Sequence, residues 1–223
     1  MQTFNRTFER PAKEWNEKFA NIATPIIGDV MGRQNIMDFR IRPIWSGARC
    51  VGPALTVMTY PSDNLMIHLG VSLAQEGDIL VVDAGNYPNA GLWGEILTIN
   101  AMYRNIGGLI IDGGVRDIKE IEELGFPMFA SGINARGGYK SNPGRVNMPV
   151  SCGGVAVCPG DLIVADENGV AVIPKADIAE VYEKCLAKIS AEQKIMEQLR
   201  QGKDTVEIMN MEKELDKLGI LVK

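Results

Sequence analysis

Between Glu76 and Ala130 the chain alternates short apolar runs with amphipathic stretches, and this alternation restricts the fold more than any other feature. A Gly77-Asp78 turn leads into Ile79-Leu80-Val81-Val82-Asp83, which reads as a buried strand. Leu92, Ile96, Ile99, Tyr103 and Ile106 then recur at helical spacing, which predicts an amphipathic helix closing at Gly107. Leu109-Ile110-Ile111-Asp112 reads as the next buried strand. Asp117 to Leu124 follows as a short helix turning Ile118, Ile121 and Leu124 inward, with Gly125 as its stop, and Phe126 to Ala130 as a third strand. Strand, helix, strand, helix, strand implies parallel βαβ crossovers, and hence an α/β fold.

The flanks extend this frame. Pro11 opens a helix carrying Trp15, Phe19 and Ile22 on one face, and Thr24-Pro25 caps and starts another that runs through Val30 and Met31. Ala54 to Tyr60 reads as a strand and Asn64 to Ala74 as a helix. Residues 131–148, rich in Gly, Asn and Pro, form a long loop of the kind that often carries function. Pro159-Gly160-Asp161-Leu162-Ile163-Val164-Ala165-Asp166 echoes the earlier Gly-Asp turn and its apolar run, which suggests two similar β units in one domain. Asp166-Glu167-Asn168-Gly169 reads as a hairpin turn. A polar helix is expected from Ala176 to about Arg200, followed by a charged tail. No linker splits the chain. Residues 1–175 are expected to form one domain, N-terminal helices included, and residues 176–223 a helical extension in position to contact a neighbouring subunit.

Composition removes several function classes. A formal charge of −5 gives no general electrostatic drive toward nucleic acid or an anionic membrane. No apolar run approaches the roughly 20 residues of a membrane span, and the first residues lack the apolar core of a secretory signal, so a soluble cytoplasmic protein is expected. Cys50, Cys152, Cys158 and Cys185 form no CxxC pair and are expected to be reduced. With His68 the only histidine, a His-rich zinc site is excluded; a bound metal would take oxygen ligands, which favours Mg²⁺ or Mn²⁺. His68 itself lies in an apolar helical stretch and reads as structural.

The residues able to do chemistry cluster around the central helix. Gly91 and Gly94 would let a carboxylate approach the backbone at the helix start, with the amides of Glu95, Ile96 and Leu97 as donors. They read equally as a tight entry turn. Arg116 follows Gly113-Gly114 at the end of a buried strand, where open α/β sheets gather their ligands. It suits recognition of a carboxylate or enolate oxygen, or else an ordinary ion pair with Glu95 or Asp112. Asp117 is a carboxylate for that site or, with Glu120, one half of a helix capping box. Asp83 and Asp112 at strand ends are weaker candidates. Gly107-Gly108 precedes a strand, so no nucleotide-binding glycine loop is indicated.

The chain resembles the RraA-like family, which holds the class II 4-hydroxy-4-methyl-2-oxoglutarate / 4-carboxy-4-hydroxy-2-oxoadipate aldolases and the regulator of ribonuclease activity A. The resemblance runs over roughly residues 20–175. It is carried by Thr24, Asp29, Pro61-Ser62-Asp63-Asn64, Trp93-Gly94-Glu95-Ile96-Leu97, Ile111-Asp112-Gly113-Gly114-Val115-Arg116-Asp117 and Val157-Cys158-Pro159-Gly160-Asp161.

The resemblance implies a layered β/β/α domain of the swivelling type, assembled as a homotrimer or hexamer with sites near subunit interfaces. It implies a metal-dependent lyase that cleaves a C–C bond of a small 2-oxo acid, with oxaloacetate decarboxylation as a second activity. In that pattern Gly94 to Leu97 hold the substrate carboxylate, Arg116 contacts the pyruvyl oxygen, and Asp117 binds the divalent cation. The acidic residue preceding Arg116-Asp117 by 20 intervening positions, 96 to 115, is Glu95. The aldolases carry Asp there, and the extra methylene moves the carboxylate by up to about 1.5 Å. Glu95 would orient a water for proton transfer. Tyr87, Trp93, Lys140, Asn142 and Arg145 are placed around the far end of the substrate without assigned roles. The alternative is a non-catalytic regulator that binds a ribonuclease; its pattern lacks the acidic residue that is present here as Glu95.

Overall fold

Strands buried on both faces need apolar residues at successive positions, and three runs of this chain supply them. In the computed structural model, which describes residues 4–220, α1 (Glu14–Phe19) and α2 (Thr24–Val30) precede β1 (Arg42–Pro43) and β2 (Cys50–Met58). The crossover region follows as α3 (Leu65–Leu73), β3 (Ile79–Trp93), α4 (Glu95–Tyr103), β4 (Gly108–Val115), α5 (Ile118–Leu124) and β5 (Met128–Ile133). Then come β6 (Arg145–Val146), β7 (Val150–Cys152), β8 (Val155–Val157), β9 (Leu162–Asp166) and β10 (Gly169–Ile173). Three helices close the chain: α6 (Ile178–Arg200), α7 (Thr205–Ile208) and α8 (Glu212–Lys217). Met1–Thr3 and Leu221–Lys223, the outer ends of the two expected segments, lie outside the described residues.

The sheet order is β1-β5-β4-β3-β2-β9-β10, with β6 added to β2 and a separate β7-β8 ribbon. β2, β3, β4 and β5 are parallel and consecutive, joined through α3, α4 and α5, as the alternating pattern predicts. β9 and β10 form the expected hairpin around Glu167-Asn168. Side-chain alternation divides the interior. Leu80, Val82, Leu109, Ile111, Met128 and Ala130 face a core shared with α3, α4 and α5, whereas Ile79, Val81, Ile110 and Phe129 face one shared with β7 to β10. The molecule is thus a mixed α/β fold with helices on one face of a central sheet and a second β layer on the other.

The two Gly-Asp turns are built alike. Gly77 and Gly160 both take positive φ, and each following Asp accepts the amide three residues before it, Gln75 N to Asp78 and Cys158 N to Asp161, both at 2.8 Å. Arg10 adds a two-pronged ion pair to Asp78. Thr24 does not cap α2, as expected from sequence. It is the first residue of that helix, and its hydroxyl donates to buried Asp166 at 2.6 Å.

A larger correction concerns α4. The stripe Leu92, Ile96, Ile99, Tyr103, Ile106 is not one inward face: Leu92 belongs to β3, and Ile96, Ile99 and Tyr103 are 77%, 52% and 89% exposed. The helix starts at Glu95 because β3 continues through Trp93, and the face it buries consists of Leu97, Thr98 and Ala101. In α5 only Ile121 is fully buried.

The chain divides into two compact units, Met1–Tyr182 and Glu183–Lys223. In the first, Trp15 and Phe19 of α1 pack edge-on against Tyr182 at 5.8 and 5.5 Å. The second consists of the later part of α6 with α7 and α8, and Asp204 caps α7 by accepting from Glu207 N at 2.9 Å. All four cysteines are free thiols; Cys158 is exposed, and burial pushes Cys50 up to about 12 and Cys185 up to about 11. No helix among the described residues is long and apolar enough to cross a membrane.

Candidate active site

Trp93 and Val115 are register partners at the carboxyl ends of the adjacent parallel strands β3 and β4. The next residues are Gly94-Glu95 on one strand and Arg116-Asp117 on the other, so strand pairing alone brings the two motifs side by side. The spacing of Glu95 and Asp117 is one helix-plus-strand crossover. Arg116 N donates to Trp93 O at 2.9 Å, continuing the ladder one step beyond the sheet. Trp93 is buried, stacks on Phe126 at 6.0 Å and donates from Nε1 to Thr98 Oγ1 at 2.8 Å. The Thr98 hydroxyl in turn donates to Gly94 O, so the first turn of α4 is fixed from inside.

Asp117 does not close a capping box with Glu120. It takes a left-handed backbone (φ 58°) at the start of α5 and makes no side-chain cap there. Its Oδ2 instead accepts from Glu95 N at 3.0 Å and lies 3.5 Å from Arg116 Nε. The carboxylate therefore sits at the positive end of α4 beside a guanidinium. Gly94 makes this approach feasible. Its extended backbone (φ −159°) suits any residue, but a side chain there would collide with Asp117 Oδ2 and press on Arg116 Cγ and Nε at 3.1 Å. Gly91 has a different reason for being glycine: a Cβ would strike Asn134 O, because Gly91 N donates to Arg136 O at 2.6 Å. It accommodates the protein's own loop, and it also lines the cavity beside Arg116.

Arg116, Gly94, Ile96 and Leu97 line a cavity of about 280 Å³ together with Asn64, His68, Trp93, Gly137, Gly138 and Lys140. Glu95 and Asp117 are not among the lining residues. The amides of Ile96 and Leu97 precede the first intrahelical bond, Thr98 N to Gly94 O, and so have no acceptor within the helix. The Glu95 amide, expected to serve the substrate too, is already given to Asp117. One wall comes from the 131–148 loop, which Asp63 holds in place. Its buried carboxylate accepts the amides of Leu65, Ser141 and Asn142 at 2.8, 2.8 and 3.0 Å. Burial works against the charge on Asp63, but these bonds outweigh it and hold the carboxyl below its ordinary value.

Arg116 pairs with Asp117 rather than with Glu95 or Asp112; Asp112 is bound by Arg40 at 2.8 Å and by Gly153 N at 3.0 Å. Asp83 turns back to the amide of Gly85. Of the five residues expected at the far end, Trp93 and Lys140 line the cavity, Asn142 serves Asp63, and Tyr87 of β3 and Arg145 of β6 are not among the lining residues. Asn64, His68, Gly137 and Gly138 were not anticipated as lining residues. The signal for the first two was the i, i+4 spacing of polar side chains in an otherwise apolar helix.

No group of three or more His, Cys, Asp or Glu side chains among the described residues is arranged to hold a metal. A hard cation such as Mg²⁺ keeps several waters and takes one or two protein carboxylates. Asp117, with its carboxylate about one-third exposed, fits that mode of binding.

Comparison with known proteins agrees with this architecture. A family model described as RraA-like (Aldolase/RraA) matches residues 24–172. A Halalkalibacterium halodurans protein named "Putative 4-hydroxy-4-methyl-2-oxoglutarate aldolase" is 36% identical over 171 residues, covering 77% of this chain and 81% of that protein. An uncharacterized Methanocaldococcus jannaschii protein is 37% identical, covering 77% and 84%. Among solved structures, Streptomyces coelicolor RraAS2, described as an unusual member of the RNase ES inhibitor RraA protein family, superposes with a TM-score of 0.77. It is 25% identical, over 86% of this chain and all of that one.

Proposed function

Because the chain belongs to the RraA-like (Aldolase/RraA) family, we propose that it is a divalent-metal-dependent lyase that cleaves a C–C bond of a small 2-oxo acid, as a 4-hydroxy-4-methyl-2-oxoglutarate aldolase would. Oxaloacetate decarboxylation is the natural second activity. The observation that carries the reading is the meeting of Asp117, Arg116 and the first turn of α4 beside one cavity, with Gly94 left bare so that they can meet.

Each group then has a task. The amides of Ile96 and Leu97 bind the substrate carboxylate at the positive end of the helix. Arg116 faces the oxygen on which negative charge develops as the bond breaks, an electrostatic contribution often worth about 3 kcal/mol. Glu95 orients a water that takes the 4-hydroxyl proton as the C–C bond breaks and returns a proton to the enolate carbon of the pyruvyl fragment. Asp117 holds Mg²⁺ or Mn²⁺, which when bound supplies Lewis acidity toward the 2-oxo group. No Schiff-base lysine is required.

The reading includes assembly as a homotrimer or hexamer. The exposed apolar stripe Ile96, Ile99 and Tyr103 starts at the cavity with Ile96, and a second copy of this chain is the partner proposed for it. A monomer by light scattering across micromolar concentrations would count against assembly.

Pyruvate release tests the activity directly. It should be measured from 4-hydroxy-4-methyl-2-oxoglutarate and from oxaloacetate, with Mg²⁺ or Mn²⁺ and then with excess chelator, after subtracting the metal-only background. Chelator-sensitive release from the hydroxy acid is the expected result. No release, together with no divalent-ion binding in calorimetry, would overturn the lyase reading in favour of a ribonuclease regulator.

A further inference from the structure

Asn64 stands at the N-cap of α3 and His68 one turn further on, so the two rise on the same face, and both line the cavity that Arg116 also lines. Among the described residues, three buried side-chain polar atoms have no hydrogen-bond partner in the protein: Asn64 Oδ1, His68 Nε2 and Asn147 Oδ1. Two of the three therefore belong to neighbouring residues of one cavity lining. A buried polar atom left unsatisfied costs about 1–3 kcal/mol, so this arrangement is completed by a water in the free protein and by a polar group of the ligand when the cavity is filled.

Asn64 has little freedom to turn away. Its Nδ2 donates to Leu92 O at 2.9 Å, which leaves Oδ1 committed as an acceptor. His68 is neutral at pH 7, because burial first and the charge of Lys140 second push its pKa below the ordinary 6.5. A neutral imidazole offers one donor and one acceptor nitrogen. A fixed acceptor beside an imidazole is matched by a ligand group that both donates and accepts, and the hydroxyl is the smallest such group. Lys140, in the same lining, adds a positive charge for an anionic substituent.

We propose that Asn64 and His68 recognise the hydroxyl group of a 4-hydroxy-2-oxo acid. The hydroxyl donates to Asn64 Oδ1 and pairs with His68 Nε2, and the two residues thereby set the preference for hydroxy acids over oxo acids that lack the hydroxyl. The inference rests on the lyase reading above but concerns the hydroxyl-bearing carbon of the scissile bond rather than the 2-oxo acid end, and the hydroxyl proton passes to the water beside Glu95 only as the bond breaks. A site built to satisfy a substrate hydroxyl discriminates strongly against an analogue without it, since its own buried groups are then left unpaired.

The test is the ratio of kcat/KM for 4-hydroxy-4-methyl-2-oxoglutarate to that for oxaloacetate, measured on the Mg²⁺-loaded full chain. In His68→Phe the ratio should fall by about tenfold to a hundredfold, and in His68→Gln, which restores a donor and an acceptor, most of the loss should be recovered. His68→Asn, smaller than Phe and too short to reach, carries the same expectation as Phe and serves if the Phe variant does not fold. An unchanged ratio in a folded variant, with wild type active on both substrates, would overturn this inference and leave the lyase reading standing. A wild type that releases pyruvate from neither substrate would remove the lyase reading, and this inference with it.

Discussion

Gly94→Ala adds one methyl group at the point where Asp117, Arg116 and the first turn of α4 converge, and its effects on folding and on turnover should separate sharply. The backbone there is extended, so alanine meets no conformational strain. The new Cβ would collide with Asp117 Oδ2 and crowd Arg116 Cγ and Nε at 3.1 Å, inside ordinary contact at about 3.5–4.0 Å. The crowded atoms belong to side chains, so the carboxylate retreats by on the order of 1 Å while the strand stays in place. That retreat breaks the 3.0 Å bond from Glu95 N. A hydrogen bond to a charged acceptor is worth about 1.5–3 kcal/mol, and partial exposure places this one at the low end. For a chain of this size about 1.5 kcal/mol lowers Tm by roughly 3–6 °C. A displacement of about 1 Å in a catalytic constellation costs on the order of a hundredfold in turnover. Thermal melting by circular dichroism and chelator-sensitive pyruvate release, run on the same preparation, check both figures. Turnover within threefold of wild type would show that the position of the Asp117 carboxylate does not matter. A protein that no longer folds would show that Gly94 serves the strand-to-helix junction instead.

Four further outcomes are expected. Asp117→Asn should abolish divalent-ion binding in calorimetry with melting nearly unchanged; ions bound at wild-type affinity would place the ligand elsewhere. Arg116→Ala should lower kcat by about a hundredfold, in keeping with an electrostatic role of a few kcal/mol, whereas an equal rate at saturating substrate would confine Arg116 to binding. Asp63→Asn removes a charged acceptor for two loop amides and the first amide of α3 and should lower Tm by roughly 5–10 °C, with faster proteolysis at residues 134–144; an unchanged cleavage pattern would mean the loop is held by other contacts. Asp63 and Asp166 both titrate below the ordinary 3.8 in the folded state, so their stabilisation is complete above that value and is lost as pH falls through their lowered values. The urea midpoint should therefore decline below pH 4 and decline less in Asp166→Asn, and identical slopes would refute the assignment.

The parallel crossovers were legible because uninterrupted apolar runs and helical periodicity are local signals. The Arg116-Asp117 and Gly94-Glu95 pairs were legible because charge and glycine stand at the ends of such runs. The full extent of β3 was not. Gly85 and Asn86 take positive φ and break its register, so Tyr87 to Trp93 resemble a loop in sequence although they pair with Gly113 to Val115. The face of α4 was misjudged because periodicity reports that apolar residues share a side, not that the side is covered. There the core is reached through Leu97, Thr98 and Ala101, while Ile99 and Tyr103 are left outside. The capping box at Asp117 matched its pattern but not its backbone, since a left-handed residue aims its side chain elsewhere. Asp63, at a turn in sequence, holds amides 78 and 79 residues away, a relation no local pattern contains.

The pairing of Trp93 with Val115 ties the site to the interior of the sheet rather than to its surface loops. Amides in a central parallel ladder exchange with solvent only in the most complete opening of a domain, whereas loops exchange through small local fluctuations. Residues 94–95 and 116–117 should accordingly share the exchange protection of β3 and β4, while residues 134–144, between β5 and β6, exchange earlier. Hydrogen-bond register, rather than loop contacts, thus keeps the two halves of the site together.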